Sequence, residues 1–124
     1  MKTEDLKFRF RNFSIRIIRM VDKLPLTISG KVIGNQIIRS GTSPGANYRA
    51  ACKAKSDKDF INKLKMVEEE LDETLYWLDL ITETELLKPE LLENLTKENQ
   101  ELLAIITRSI LTKRKNLIQK ENPL

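Results

Sequence analysis

The sequence predicts an all-α fold, an up-down four-helix bundle. Three observations carry this. Apolar residues recur at spacings of three and four along most of the chain, the period of an amphipathic helix. Gly and Pro number four each while charged residues make up 32% of the chain, a helical and not a disordered composition. Pro25, Ser56 and Pro89 mark three breaks between the four periodic stretches. A chain of 124 residues is long enough for one domain with one core. That domain is expected over residues 1–118, with 119–124 as a frayed tail.

The first helix is expected over residues 3–23. Leu6, Phe10, Phe13, Ile17, Val21 and Leu24 make its core stripe. A second apolar row of Phe8, Ile15 and Ile18 lies on roughly the opposite side, where a neighbouring subunit is the simplest partner. Arg9, Arg16, Arg19 and Lys23 form a basic row between the two. Leu24-Pro25-Leu26 ends the helix, because proline disfavours a helical residue before it.

Thr27 or Ser29 can cap the second helix, which is expected to reach residue 55 with a kink or short interruption at Pro44-Gly45. Ile28, Val32, Gln36, Ser43, Asn47 and Ala50 share one face. Gly30, Gly34, Gly41 and Gly45 form a stripe within about 60° on the helical wheel. Each glycine costs about 1 kcal/mol relative to alanine inside a helix, so four need a reason. The reason expected is a close backbone approach, with two-sided burial of this helix implying an oligomer. Lys31, Arg49 and Lys53 sit on a narrow polar strip.

The third helix starts after Ser56, an N-cap residue with Asp57 and Asp59 in the first turn. Phe60, Leu64, Val67, Leu71, Leu75 and Leu78 form its stripe. Glu70 and Glu73 run beside it, and Arg39 and Asn47 are the first candidates to satisfy them. Gln36, Arg39, Ser43, Asn47, Glu70 and Glu73 are therefore grouped as a structural polar network. Pro89 suits the first position of the fourth helix, whose core row Leu92, Leu95, Leu102, Ile106 and Ile110 is interrupted by Asn99.

Charge is unevenly placed. Residues 1–65 hold 15 Lys/Arg against 5 Asp/Glu, residues 66–107 hold 2 against 12, and residues 108–124 hold 5 against 1. Surface ion pairs between basic and acidic helices account for such a pattern, and so does a basic face for phosphate. There is no histidine, and Cys52 is the only cysteine. Cysteine and histidine metal-ligand clusters are thereby absent, an intrachain disulfide is excluded, the thiol has no histidine base, and no cofactor motif is present. Metal or acid–base chemistry at Glu70 and Glu73 is less expected than a structural network. No apolar run is long enough to span a membrane, and no signal peptide opens the chain, so a cytoplasmic protein is expected. The two glycosylation sequons, at Asn12 and Asn94, are read as chance matches.

The run Gln36-Ile37-Ile38-Arg39-Ser40-Gly41-Thr42-Ser43, followed by Asn47, Ala50-Ala51 and residues 56–60, resembles a known signature. It is that of the bacterial four-helix-bundle proteins encoded in intervening sequences of 23S rRNA genes. Leu24-Pro25, Glu69, Glu70, Glu73 and Trp77-Leu78 fit the same pattern. The family also resembles the accessory variability protein of diversity-generating retroelements. The resemblance implies a ring-like homopentamer with no established enzymatic activity. It further implies a nucleic-acid role, with a reverse transcriptase or another protein as possible partner.

Three function classes follow: a non-catalytic assembly binding RNA or DNA backbone, a protein-interaction scaffold, and, least supported, an enzyme. The candidate phosphate contacts are Arg9, Arg16, Arg19, Lys23, Lys31, Arg49 and Lys53. The candidate subunit contacts are Phe8, Ile15, Ile18 and the four glycines. Aromatic residues are few, which leaves little expected stacking surface.

Overall fold

The computed structural model describes residues 2–121, and these form an up-down bundle of four α-helices with a single core. The helices are α1 (Thr3–Val21), α2 (Ile28–Ala51), α3 (Asp57–Glu83) and α4 (Glu93–Glu121). Thr27 caps α2 by accepting the Gly30 N–H at 3.1 Å, and Ser56 caps α3 by accepting the Asp59 N–H at 3.1 Å. Pro89 begins a separate short 3₁₀ turn, Pro89–Leu91, and α4 starts only at Glu93. The second helix ends at Ala51 rather than near residue 55, and its last turn carries only Arg49 as a cation.

Pro44 interrupts nothing: α2 is helical on both sides of it. Its ring removes the N–H that the Ser40 carbonyl would otherwise accept. Nearby, the Thr42 hydroxyl turns back onto the helix and donates to the Ile38 carbonyl at 2.6 Å. The tail expected to fray stays helical as far as Glu121, and residues 122–124 lie outside those described. Lys113 and Lys120 both reach the Asp57 carboxylate at the head of α3, at 2.8 and 3.8 Å, which ties down the end of α4.

The core is built from Phe10, Phe13 and Ile17 of α1, Ile37 of α2, Leu64, Leu71 and Leu78 of α3, and Leu102 and Ile106 of α4. On α3 the buried stripe is rotated from the expected one. Ile61, Thr74 and Ile81 are buried, while Phe60 and Leu75 are half-buried at its edge. Thr74 can face inward because its hydroxyl has buried acceptors, the Glu70 carbonyl at 2.8 Å and Ser40 Oγ at 2.9 Å. Asn99 is fully buried, and neither its amide nitrogen nor its oxygen has a partner among the described residues.

The glycine stripe faces the same chain, Gly34, Gly41 and Gly45 toward α1 and Gly30 toward the connection before α2, which corrects its assignment to a subunit interface. A Cβ on Gly41 would lie 2.8 Å from Cγ1 and Cγ2 of the fully buried Ile17. A Cβ on Gly30 would lie 2.0 Å from the Pro25 carbonyl oxygen. Gly34 faces Leu24 and Val21, and Gly45 faces Phe10 and Ser14, both at ordinary contact distance. The other side of α2 meets α3. Both covered sides of α2 are therefore accounted for within one chain, and its two-sided burial implies no second copy.

Candidate nucleic-acid interface

Because glycines draw α2 onto α1, the outer rims of the two helices enclose a groove of about 820 Å³. Lys7 and Arg11, one turn apart, rise from the α1 side, and Arg49 rises from α2. Glu4 is its one acidic residue and pairs with Lys7 at 3.2 Å. Arg11 and Arg49 are exposed and, among the described residues, have no ion-pair partner. Phe8 and Ile15 add apolar surface, Phe8 with 61% of its area exposed. Ser14 lies deeper, its hydroxyl donated to the Phe10 carbonyl at 3.0 Å.

The basic row expected on α1 divides. Arg9 turns inward to α4, where Nε and Nη2 grip both oxygens of Glu98 at 3.1 and 2.5 Å, with Glu101 at 3.7 Å. The hydrogen bond to Glu98 raises the guanidinium pKa above its ordinary value. This two-pronged pair fixes the α1–α4 register and removes Arg9 from the free cations. Arg16, Arg19 and Lys23 remain exposed, as do Lys31 on α2 and Lys53 just beyond its end. Of the seven expected cations only Arg49 lines the groove. Its companions Lys7 and Arg11 escaped the sequence reading because they lie across α1 from the Arg9 row. Their spacing of four beside Phe8 and Ile15 was the available signal.

The expected polar network is smaller than the six residues grouped for it. Ser43 Oγ and Asn47 Nδ2 both donate to the Glu70 carboxylate, the latter at 2.7 Å, and join α2 to α3. Glu73 instead accepts the Trp77 indole N–H at 2.9 Å on its own helix. It sits one turn beyond Glu70 along α3 and makes no hydrogen bond to Asn47. Arg39 is exposed and pairs with neither glutamate, though it borders the same shallow cleft as Ser43, Glu70 and Glu73. Gln36 is half-buried and outside the network. A carboxylate held by two neutral donors serves as a helix-to-helix clamp, not as an acid–base pair.

The apolar row divides too. Phe8 and Ile15 line the groove, while Ile18 is 42% exposed beyond it. Cys52 is half-buried at the end of α2 beside Tyr48, whose hydroxyl pKa is pushed up to about 12, chiefly by burial. A phenol so shifted is no base for the thiol at neutral pH. Among the described residues no cluster of His, Cys, Asp and Glu is arranged to hold a metal ion, and no helix is long and apolar enough to cross a membrane.

Comparison with known proteins places these features in a family. No functionally curated protein matches the sequence. A solved structure does: a protein of unknown function from the S23 ribosomal protein family of Bacteroides thetaiotaomicron. It is 37% identical, with a TM-score of 0.80 over 85% of this chain and 97% of that one. The family model described as 23S rRNA-intervening sequence protein matches residues 6–108, from the start of the α1 core stripe to the middle of α4. The chain belongs to the 23S rRNA-intervening sequence protein family.

Proposed function

We propose that this protein is a non-catalytic, self-assembling helical bundle of the cytoplasm that binds the nucleic-acid backbone through the basic α1–α2 face. The observation that supports this best is the groove holding Lys7, Arg11 and Arg49 against a single glutamate. Arg16, Arg19, Lys23, Lys31 and Lys53 are further exposed cations on or next to the same two helices. Such a surface recognises phosphate and carries little sequence information. Self-assembly is supported by apolar side chains left outside the core, Leu26 at 86%, Ile28 at 88% and Val32 at 55% exposure. A homopentamer is the size the family resemblance implies, and a ring would repeat the groove so that weak contacts act together on one polymer.

The test is binding of structured RNA, single-stranded RNA and duplex DNA at two salt concentrations. Two or three phosphates neutralised per groove weaken binding roughly tenfold between about 50 and 200 mM salt. Arg11→Glu combined with Arg49→Glu is expected to abolish that binding while helicity and assembly mass stay unchanged. A parent protein showing no salt-sensitive binding to any nucleic acid refutes the reading and leaves a protein-interaction scaffold.

A further inference from the structure

Resting on the phosphate-binding reading of the same groove, we infer that it selects single-stranded over duplex nucleic acid, with Phe8 as a stacking platform for an unpaired base. Phe8 is 61% exposed, although the sequence gives it a position a subunit contact would cover. It does not stand on a bare apolar patch. Lys7 precedes it, Arg11 follows one turn later, and Arg49 faces them from α2. An aromatic face among cations is the combination that holds a single strand. The base stacks on the ring, and the phosphates on either side meet the guanidinium and ammonium groups.

The shape of the groove argues for the same ligand. The groove is a surface furrow between two helices whose axes in ordinary packing stand about 8–10 Å apart, a scale on which a duplex meets only the rims. A duplex touches only the rim cations and keeps its bases stacked on one another, out of reach of Phe8. Its binding is therefore electrostatic alone. An unpaired base already presents a free face, so it pays no unstacking cost. Glu4 stands at the same rim, 3.2 Å from the Lys7 ammonium. It discounts Lys7 as a phosphate contact and leaves Arg11 and Arg49 as the main ones.

Two variants at Phe8 separate stacking from charge, because neither alters the net charge of the groove. The probes are a labelled unstructured 12-nucleotide RNA and the duplex formed by the same sequence. They are titrated at fixed salt against parent, Phe8→Ala and Phe8→Trp. Phe8→Ala is expected to weaken single-strand binding at least about fivefold and to change duplex binding by less than about twofold. Phe8→Trp is expected to retain single-strand binding, with quenching of the added indole. The salt slope is expected to stay that of the parent in both. Unchanged single-strand binding by Phe8→Ala overturns the inference. So does an equal loss for strand and duplex, or a fall in assembly mass, which gives Phe8 to a subunit contact. A parent that binds both probes equally also overturns it while leaving backbone binding intact. A parent that binds neither probe defeats the phosphate-binding reading itself.

Discussion

Replacing Gly41 with alanine measures how closely α1 and α2 are drawn together. The new methyl group lies 2.8 Å from Cγ1 and Cγ2 of Ile17 and 3.0 Å from its Cδ1. Ile17 is fully buried and branched at Cβ, so its near carbons cannot swing clear. Overpacking of this kind costs about 1–3 kcal/mol. Against it, alanine returns about 1 kcal/mol of helix propensity. Gly45→Ala is the internal control on the same helix. Its methyl group meets Phe10 Cβ and Ser14 Oγ at 3.4 Å, so only the favourable propensity term operates. The difference between the two variants isolates the packing cost, about 1–3 kcal/mol. At roughly 4 °C per kcal/mol for a domain of this size, Gly41→Ala melts about 4–12 °C below Gly45→Ala. The assay is thermal and urea unfolding followed by circular dichroism. All variants are held at one protomer concentration, because the proposed self-assembly would make the midpoint depend on concentration. Gly41→Ala matching or exceeding the stability of Gly45→Ala refutes the close approach.

Three further outcomes are expected. The cycle of Asn47→Ala and Glu70→Ala is non-additive by about 0.5–3 kcal/mol, whereas Asn47→Ala and Glu73→Ala add; urea midpoints decide, and coupling to Glu73 contradicts the clamp. Asn99→Leu raises stability by about 1–3 kcal/mol, because an apolar side chain of similar size replaces two unpaired buried polar groups; a lower melting temperature shows that Asn99 has a partner in solution. Lys113 holds the Asp57 carboxyl below its ordinary value, so that pair stabilises above the unfolded carboxyl pKa of about 3.9. Its contribution is lost as pH falls through the lower folded value. Amide exchange near Lys113 should therefore accelerate in that acid window, and equal acceleration in Lys113→Met contradicts the tie.

What the residues disclosed depended on the distance over which they act. The helices were legible because spacings of three and four and the caps Thr27 and Ser56 are local. The α3 stripe was misjudged by about one residue because Thr74 is buried only by virtue of Ser40, 34 positions away. The glycine stripe was legible as a stripe, but nothing local says whether the backbone it meets belongs to the same chain. Arg9 and Arg16 look equivalent in sequence. Only the α1–α4 register, which sets Arg9 against Glu98, separates the paired cation from the exposed one. Glu70 and Glu73 were distinguished in the same way, by which of them faces Asn47 across the helix boundary. The groove was missed because it is a property of two helices together. Lys7 and Arg11 become a site only when Arg49 is brought across from α2.

The pairing of Arg9 with Glu98 spans 89 positions, whereas each neighbouring helix pair is joined by a short connection. During synthesis the first three helices can fold back on one another while α4 is still being made. The slot it will occupy is then open. The first-to-last seam must close latest, because its loop is the longest and costs the most entropy. Contacts formed that late barely influence how fast the chain folds and chiefly govern how fast it comes apart. Arg9→Met is thus expected to steepen escape from the native state and leave the folding limb of the chevron in place. The guanidinium that is unavailable to phosphate acts instead as the latch on the bundle's lifetime.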